Sequence, residues 1–204
     1  MTRLFVVRHA ETAWTVERRF SGQRDVPLGP GGQLQAEAIA HALAGQRLAA
    51  IYSSPLEHAR TTAEIVAKPH RLPVQVDAAL REMGFGRWEG LTRDQVAASE
   101  PQAWAVWRET PHLLGAHEGE TLPAVAARVA AFVDGVRDRH GDETVVLVTH
   151  AIVVRLIVLA ALGLGPDRLW SVDASPAGIS EVELGREWTT VHRMNTLAHL
   201  EPAS

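Results

Sequence analysis

The sequence predicts an α/β protein: a three-layer α/β/α sandwich around a mainly parallel sheet, with a small helical cap. Three observations predict it. Short apolar runs alternate with helical patterns along most of the chain, which is the order of βα units. The runs are continuous rather than alternating with polar residues, as strands covered on both faces require. One stretch in the middle, from about Met83 to Leu122, has no strand signal and is expected to form the cap beside the sheet edge.

The elements follow in order. Leu4 to Val7 reads as a buried strand, and Gln33 to Leu43 as an Ala-rich helix, with Gly29, Gly31 and Gly32 in the loop before it. Ala49 to Tyr52 is a second strand. Ser54-Pro55 opens a helix running through Ala67, with Pro55 suited to its first turn. Val74 to Val76 is a third strand, and Glu100-Pro101 separates two short helices. Thr121 to Arg139 is the longest helix, with Thr121 as its N-cap. Thr144 to Val148 is a β-branched strand followed by an apolar helix from Ile152 to Leu162. A hairpin turning at Gly185-Arg186 ends the chain. No repeat, low-complexity tract or linker interrupts the pattern, so a single domain over 1–204 is expected.

Composition narrows the function. Apolar residues are 46% and charged residues 22% of the 204, ordinary for a globular protein. No apolar run is long enough to span a bilayer, and the N-terminus reaches Arg8-His9 too soon for a secretory signal. No membrane partner and a cytoplasmic address are therefore expected. Cysteine is absent, which excludes disulfides, thiolate metal sites and phosphate chemistry through a cysteine nucleophile. A net charge of −4 argues against a nucleic-acid partner.

Two strands end alike. LFVV is followed by Arg8-His9, and TVVLV by Thr149-His150. In an open parallel sheet ligands bind outside the carboxyl ends of the strands, so both histidines sit where a site is expected. Arg60 lies about a turn and a half into the helix after the second strand, near the same edge. Glu82 stands in LREMGFGRWEG, a loop whose glycines let the backbone bend closely around a ligand. Alone, Arg60 would be a solvated helix arginine and Glu82 a surface carboxylate.

Five blocks in order make the pattern specific: RHAETAWTVERRFSGQRDVPLGPGGQLQA, SSPLEHARTTAE, LREMGFGRWEG, EGETL and VTHAIVVR. Together they resemble the histidine phosphatase superfamily, also called the phosphoglycerate mutase-like family, over nearly the whole chain. The resemblance implies a metal-independent phosphoric monoester hydrolase with His9 as nucleophile. Arg8 and Arg60 would clamp the phosphate, His150 would be the second active-site histidine, and Glu82 the proton donor. Substrate contacts would fall on Thr15, Ser21, Gly22, Gln23 and Ala151. Three positions depart from the family pattern. Ala10 and Ala151 replace glycines after the two histidines and keep their N–H groups provided φ is not positive. Thr15 replaces an asparagine and reaches less far.

The implied chemistry is consistent. Arginine forks bind phosphate oxygens bidentately and disfavour protonation of His9. Attack gives a phosphohistidine that water cleaves, with Glu82 donating and then accepting a proton. No cofactor and no metal is expected, and the partner is a small phosphate monoester. Arg8 and His9 can share a phosphate only if the strand ends at about Arg8, since neighbours in a continuing strand point to opposite faces.

Other candidates carry less. His117 with Glu118 and Glu120 lacks HExxH spacing for a metal site. Trp88, Trp104 and Trp107 read as cap core, and His41, His58, His70, His140 and His199 show no usable pattern. Within the family, a cofactor-dependent phosphoglycerate mutase is the alternative; the chain's end soon after the last strand favours hydrolysis. A non-catalytic phospho-ligand module is disfavoured by the full set of reactive residues. The particular monoester and the oligomeric state are not legible.

Overall fold

The structure, a computed structural model, describes residues 1–116 and 118–201. The metal candidate built on His117 therefore lies outside the described residues. The chain runs β1 (Thr2–Arg8), α1 (Ala13–Val16), α2 (Pro30–Leu43), β2 (Leu48–Ser53), α3 (Glu57–Ala67), β3 (Val74–Val76) and α4 (Arg93–Ser99). It continues through α5 (Pro101–Glu109), α6 (Leu122–His140), β4 (Thr144–Thr149), α7 (Ala151–Ala161), β5 (Ile179–Leu184) and β6 (Thr189–Thr196).

These strands form one six-stranded sheet in the order β3-β2-β4-β1-β5-β6. The first four are parallel, while β5 runs antiparallel to β1 and β6 to β5. The continuous apolar runs are explained by burial on both faces. In β1, Leu4 and Val6 face one core while Phe5 and Val7 face the other, and β4 divides in the same way between Val145 and Leu147 and Val146 and Val148. The first core is completed by α6, α7 and the cap residues Phe85, Trp88, Val96 and Trp107. The second is closed by α2 and α3 through small and branched residues such as Ala36, Ile39, Ala59 and Val66. The result is the expected three layers. No helix among the described residues is long and apolar enough to cross a membrane.

Two boundaries differ from the expected ones. Helix α2 begins at Pro30 and takes in Gly31 and Gly32. The carbonyl of Glu11 lies so close to Gly32 that a Cβ there would collide with it, so packing rather than turn formation accounts for this glycine. Helix α3 begins at Glu57 rather than at Pro55. Its N-cap, Leu56, is still extended at φ −66° and ψ 137°, as is usual outside the first helical residue.

Strand β1 stops pairing at Arg8, opposite Thr149 of β4. Beyond it, the His9 N–H donates to the Thr149 carbonyl at 2.8 Å, and the Ala177 N–H donates to the His9 carbonyl at 3.1 Å. The chain therefore turns at the point where Arg8 and His9 can face one cavity. β1 and β4 are neighbours, so Arg8-His9 and Thr149-His150 end side by side.

Candidate active site

Outside the carboxyl ends of β1 and β4 lies a cavity of about 880 Å³, lined by Arg8, His9, Glu82, His150 and residues of the cap. His9 is 3% exposed. Its Nδ1 lies 2.8 Å from the Ala10 carbonyl. A carbonyl only accepts, so the proton sits on Nδ1 and Nε2 keeps its lone pair. Burial first, then His58, His150 and Arg8, pushes the His9 imidazole well below its ordinary pKa, so the ring is neutral and nucleophilic.

Arg8 directs Nη1 to the Ala174 carbonyl at 2.6 Å, while its buried Nε has no hydrogen-bond partner. Burial lowers this guanidinium to about 10, opposed by Glu82 and Asp173 and assisted by Arg155 and Arg93. It remains a cation at neutral pH with an unused donor, as an anion site requires.

Glu82 is 7% exposed. Oε1 accepts from the Met83 N–H at 2.9 Å and Oε2 from the Ile152 N–H in the first turn of α7 at 3.3 Å. Burial raises its pKa; the two N–H groups, Arg8 and Arg128 oppose the rise without cancelling it. A carboxyl whose acid form burial favours, beside a cation, is the environment of a general acid.

The Glu82 loop is fixed from below. Arg128 on α6 donates to the carbonyls of Ala79 at 2.6 Å and Glu82 at 3.2 Å and pairs with Glu120 at 2.9 Å. Glu120 also accepts from the Gly84 N–H at 2.9 Å and from Gln23 Nε2 at 3.1 Å. From the sheet, Thr149 Oγ1 donates to the Leu80 carbonyl at 2.6 Å. These bonds join β4, α6 and the loop.

His150 N-caps α7, and its Nε2 lies 2.8 Å from Ser54 Oγ. Burial, His58, Arg8 and Arg128 lower its pKa well below the ordinary value, so it too is neutral here. Ala151 lines the cavity, and neither Ala10 nor Ala151 has positive φ. The replacement of glycine at both positions therefore carries no backbone strain.

Of the expected substrate contacts, Thr15, Ser21, Gly22 and Ala151 line the cavity. Thr15 is engaged with Thr12 in the capping box of α1. Two residues fall elsewhere. Gln23 does not line this cavity: its amide donates to the Glu82 carbonyl at 3.3 Å and to Glu120, so it supports the loop rather than the substrate. Arg60 is a correction as well. The guanidinium is 51% exposed and pairs with Glu64 at 3.6 Å, away from the cavity lining. The inward face of α3 is occupied by His58, Ala59, Thr62 and Ala63, and Arg60 falls on the other side.

The residue α3 does bring to the site is His58, which sequence reasoning passed over. It is 1% exposed, with its ring centroid 4.3 Å from that of His9 and 5.0 Å from that of His150. Helix phase carries a signal for it: His58 lies two residues before Arg60, on the buried face set by Ala59, Thr62 and Ala63. The cap also brings Arg93 and Arg108 to the cavity, the turn after α1 brings Arg18 and Arg19, and α7 brings Arg155. Arg155 lies over the Trp170 ring at 5.1 Å and donates to the Val172 carbonyl at 2.8 Å.

The chain resembles known phosphatases over most of its length. The chain is 33% identical to phosphoserine phosphatase 1 of Hydrogenobacter thermophilus over 200 residues, covering 98% of this chain and 95% of that protein. It is 35% identical to glucosyl-3-phosphoglycerate phosphatase of Mycobacterium tuberculosis over 194 residues, covering 91% of this chain and 86% of that one. The solved structure of Bacillus stearothermophilus YhfR superposes with a TM-score of 0.93 at 35% identity, covering 98% of this chain and 100% of that one. Residues 4–197 match the histidine phosphatase superfamily (branch 1), and the chain belongs to that family.

Proposed function

We propose that the protein hydrolyses a small phosphate monoester through a phosphohistidine on His9, with no metal taking part in the reaction. The observation that carries this reading is the free Nε2 of a neutral, buried His9 in a cavity shared with the unpartnered Nε of Arg8 and the carboxyl group of Glu82. Arg8 binds the phosphate, and the first-turn N–H of Ala151 adds a donor at the positive end of α7. Nε2 attacks phosphorus as the ester P–O bond breaks, and the proton of Glu82 goes to the leaving oxygen. A water molecule then attacks the phosphohistidine, giving its proton to Glu82, and inorganic phosphate leaves with His9 restored. His150, kept neutral chiefly by burial, donates to a phosphoryl oxygen as charge builds there.

The cavity wall carries Arg18, Arg93, Arg108 and Arg155 against one further acid, Asp173. This balance supports a monoester with a second anionic group rather than a neutral alcohol portion. The net charge of −4 supports a small-molecule substrate and not nucleic acid.

Turnover of purified protein against a panel of metabolite phosphates, with and without a carboxylate, tests the reading. Phosphate release from the acidic members is the expected result. Release from none of them, or isomerisation of 3-phosphoglycerate outrunning phosphate release, overturns it.

A further inference from the structure

We propose that His9, His58 and His150 form a capture site for a first-row divalent metal of the zinc class, whose occupancy blocks the nucleophile and inhibits the enzyme. One ring nitrogen from each histidine can be chosen so that all three lie within 4.8 Å of one another. The ring centroids are 4.3, 5.1 and 5.0 Å apart, and the rings are inclined by 71°, 59° and 77°, so their edges rather than their faces converge. Tetrahedral zinc with Zn–N near 2.0–2.1 Å needs nitrogens about 3.4 Å apart, so modest side-chain rotation closes the set.

The donors have the right character. Metal-bound histidine must be neutral, and burial favours the neutral form of all three, holding His58 near a pKa of about 4. A ligating histidine commonly holds its other nitrogen in a hydrogen bond. His9 does so at the Ala10 carbonyl and His150 at Ser54 Oγ. His58 is the independent sign: at 1% exposure, neither of its ring nitrogens has a partner in hydrogen-bonding geometry. The Val26 carbonyl and Asp25 lie close enough to favour its protonated form, but burial outweighs them. A metal ion would satisfy this group.

Three protein ligands leave a fourth position, and His9 and His150 line the cavity through which it opens. Arg8 is buried nearby and disfavours a bare dication, so the fourth ligand is an anion. Phosphate, the product of the proposed reaction, suits that position and should tighten the metal.

Cobalt(II) is the probe, added to the full chain with and without inorganic phosphate. We expect one ion per chain with an intense tetrahedral visible spectrum, tighter with phosphate, and displacement by zinc(II). His58→Gln should lose the spectrum. His58→Cys should keep it and add a thiolate charge-transfer band, which settles the matter even if the Gln variant does not fold. A weak octahedral spectrum, or one indifferent to both His58 substitutions, overturns the site. Zinc(II) should also inhibit hydrolysis, reversibly by chelator. That consequence rests on His9 being the nucleophile, whereas the spectrum does not. A normal cobalt spectrum on a protein without turnover would remove the phosphatase reading and leave the metal site standing; zinc-insensitive turnover alongside a full site would overturn the inhibitory role.

Discussion

The carboxylate of Glu82 accepts a hydrogen bond from the backbone N–H of Ile152, 3.3 Å away in the first turn of α7. His150 is the N-cap of that helix. The same turn that fixes His150 thus also fixes the Glu82 carboxyl group. If Glu82 is the general acid, its loss should depend on the leaving group. Glu82→Gln keeps the size but delivers no proton. It should slow hydrolysis of alkyl phosphates by about 10²–10⁴-fold and that of nitrophenyl phosphate far less. Equal losses with both leaving groups would make Glu82 a binding residue.

The pH profile follows from the same environments. Burial raises Glu82, so its acid form persists above the usual carboxylate range. Activity with alkyl substrates should fall on the alkaline side as it ionises. Burial lowers His9, so the acid limb, where the nucleophile becomes protonated, should lie well below the ordinary imidazole range. A kcat/KM profile in wild type and Glu82→Gln checks both limbs. The alkaline limb should disappear in the variant.

Arg8 and Arg60 should separate. Arg8 reaches the cavity with an unpartnered Nε, whereas Arg60 forms an exposed pair with Glu64. Arg8→Ala should abolish most turnover. Arg60→Ala should retain most of it and change stability by no more than about 1 kcal/mol, the usual range for an exposed pair. A collapse of activity in Arg60→Ala would restore the clamp that the family resemblance implied.

Arg128 touches nothing that reacts, yet it holds the carbonyls of Ala79 and Glu82. Arg128→Met should lower kcat on alkyl phosphates by about 10²-fold, the scale expected when a reacting group is misplaced by about 1 Å. The alkaline limb should shift as Glu82 loses its fixed position. A fall in Tm with an unchanged pH profile would limit Arg128 to a structural role.

Gly22 offers a test of backbone. Its φ is +51°, and a Cβ there would collide with the Glu89 carboxylate. That carboxylate accepts from the N–H groups of Gln23 and Phe85, each at 3.1 Å. Gly22→Ala should cost about 1–2 kcal/mol for the left-handed conformation alone, a drop of about 2–8 °C in Tm. Thermal melts of the two proteins measure it.

What the sequence revealed depended on how local each signal was. The strand–helix alternation, the end of β1 at Arg8 and the hairpin near Gly185 are set by neighbouring residues, and all three appear in the structure. Gly31 and Gly32 read as loop because their reason for being glycine or helical lies at Glu11, across the fold. Motif and residue type point to Arg60, but helix phase decides which side chain faces the site. Two positions along α3 separate an outward arginine from the inward His58. The orphaned nitrogens of His58 are visible only once three distant segments meet.

The parallel pairing of β1 with β4 places Arg3 opposite Thr144, so the sheet's central contact closes a loop of most of the chain. Such pairings form slowly, because the entropy of closure must be met before any contact rewards it. In a nascent chain β1 has no strand partner, and His9 has no His150 beside it, until β4 emerges. Assembly of the cavity is therefore a late event in biosynthesis, and a partly made chain leaves His9 without the surroundings that bury it.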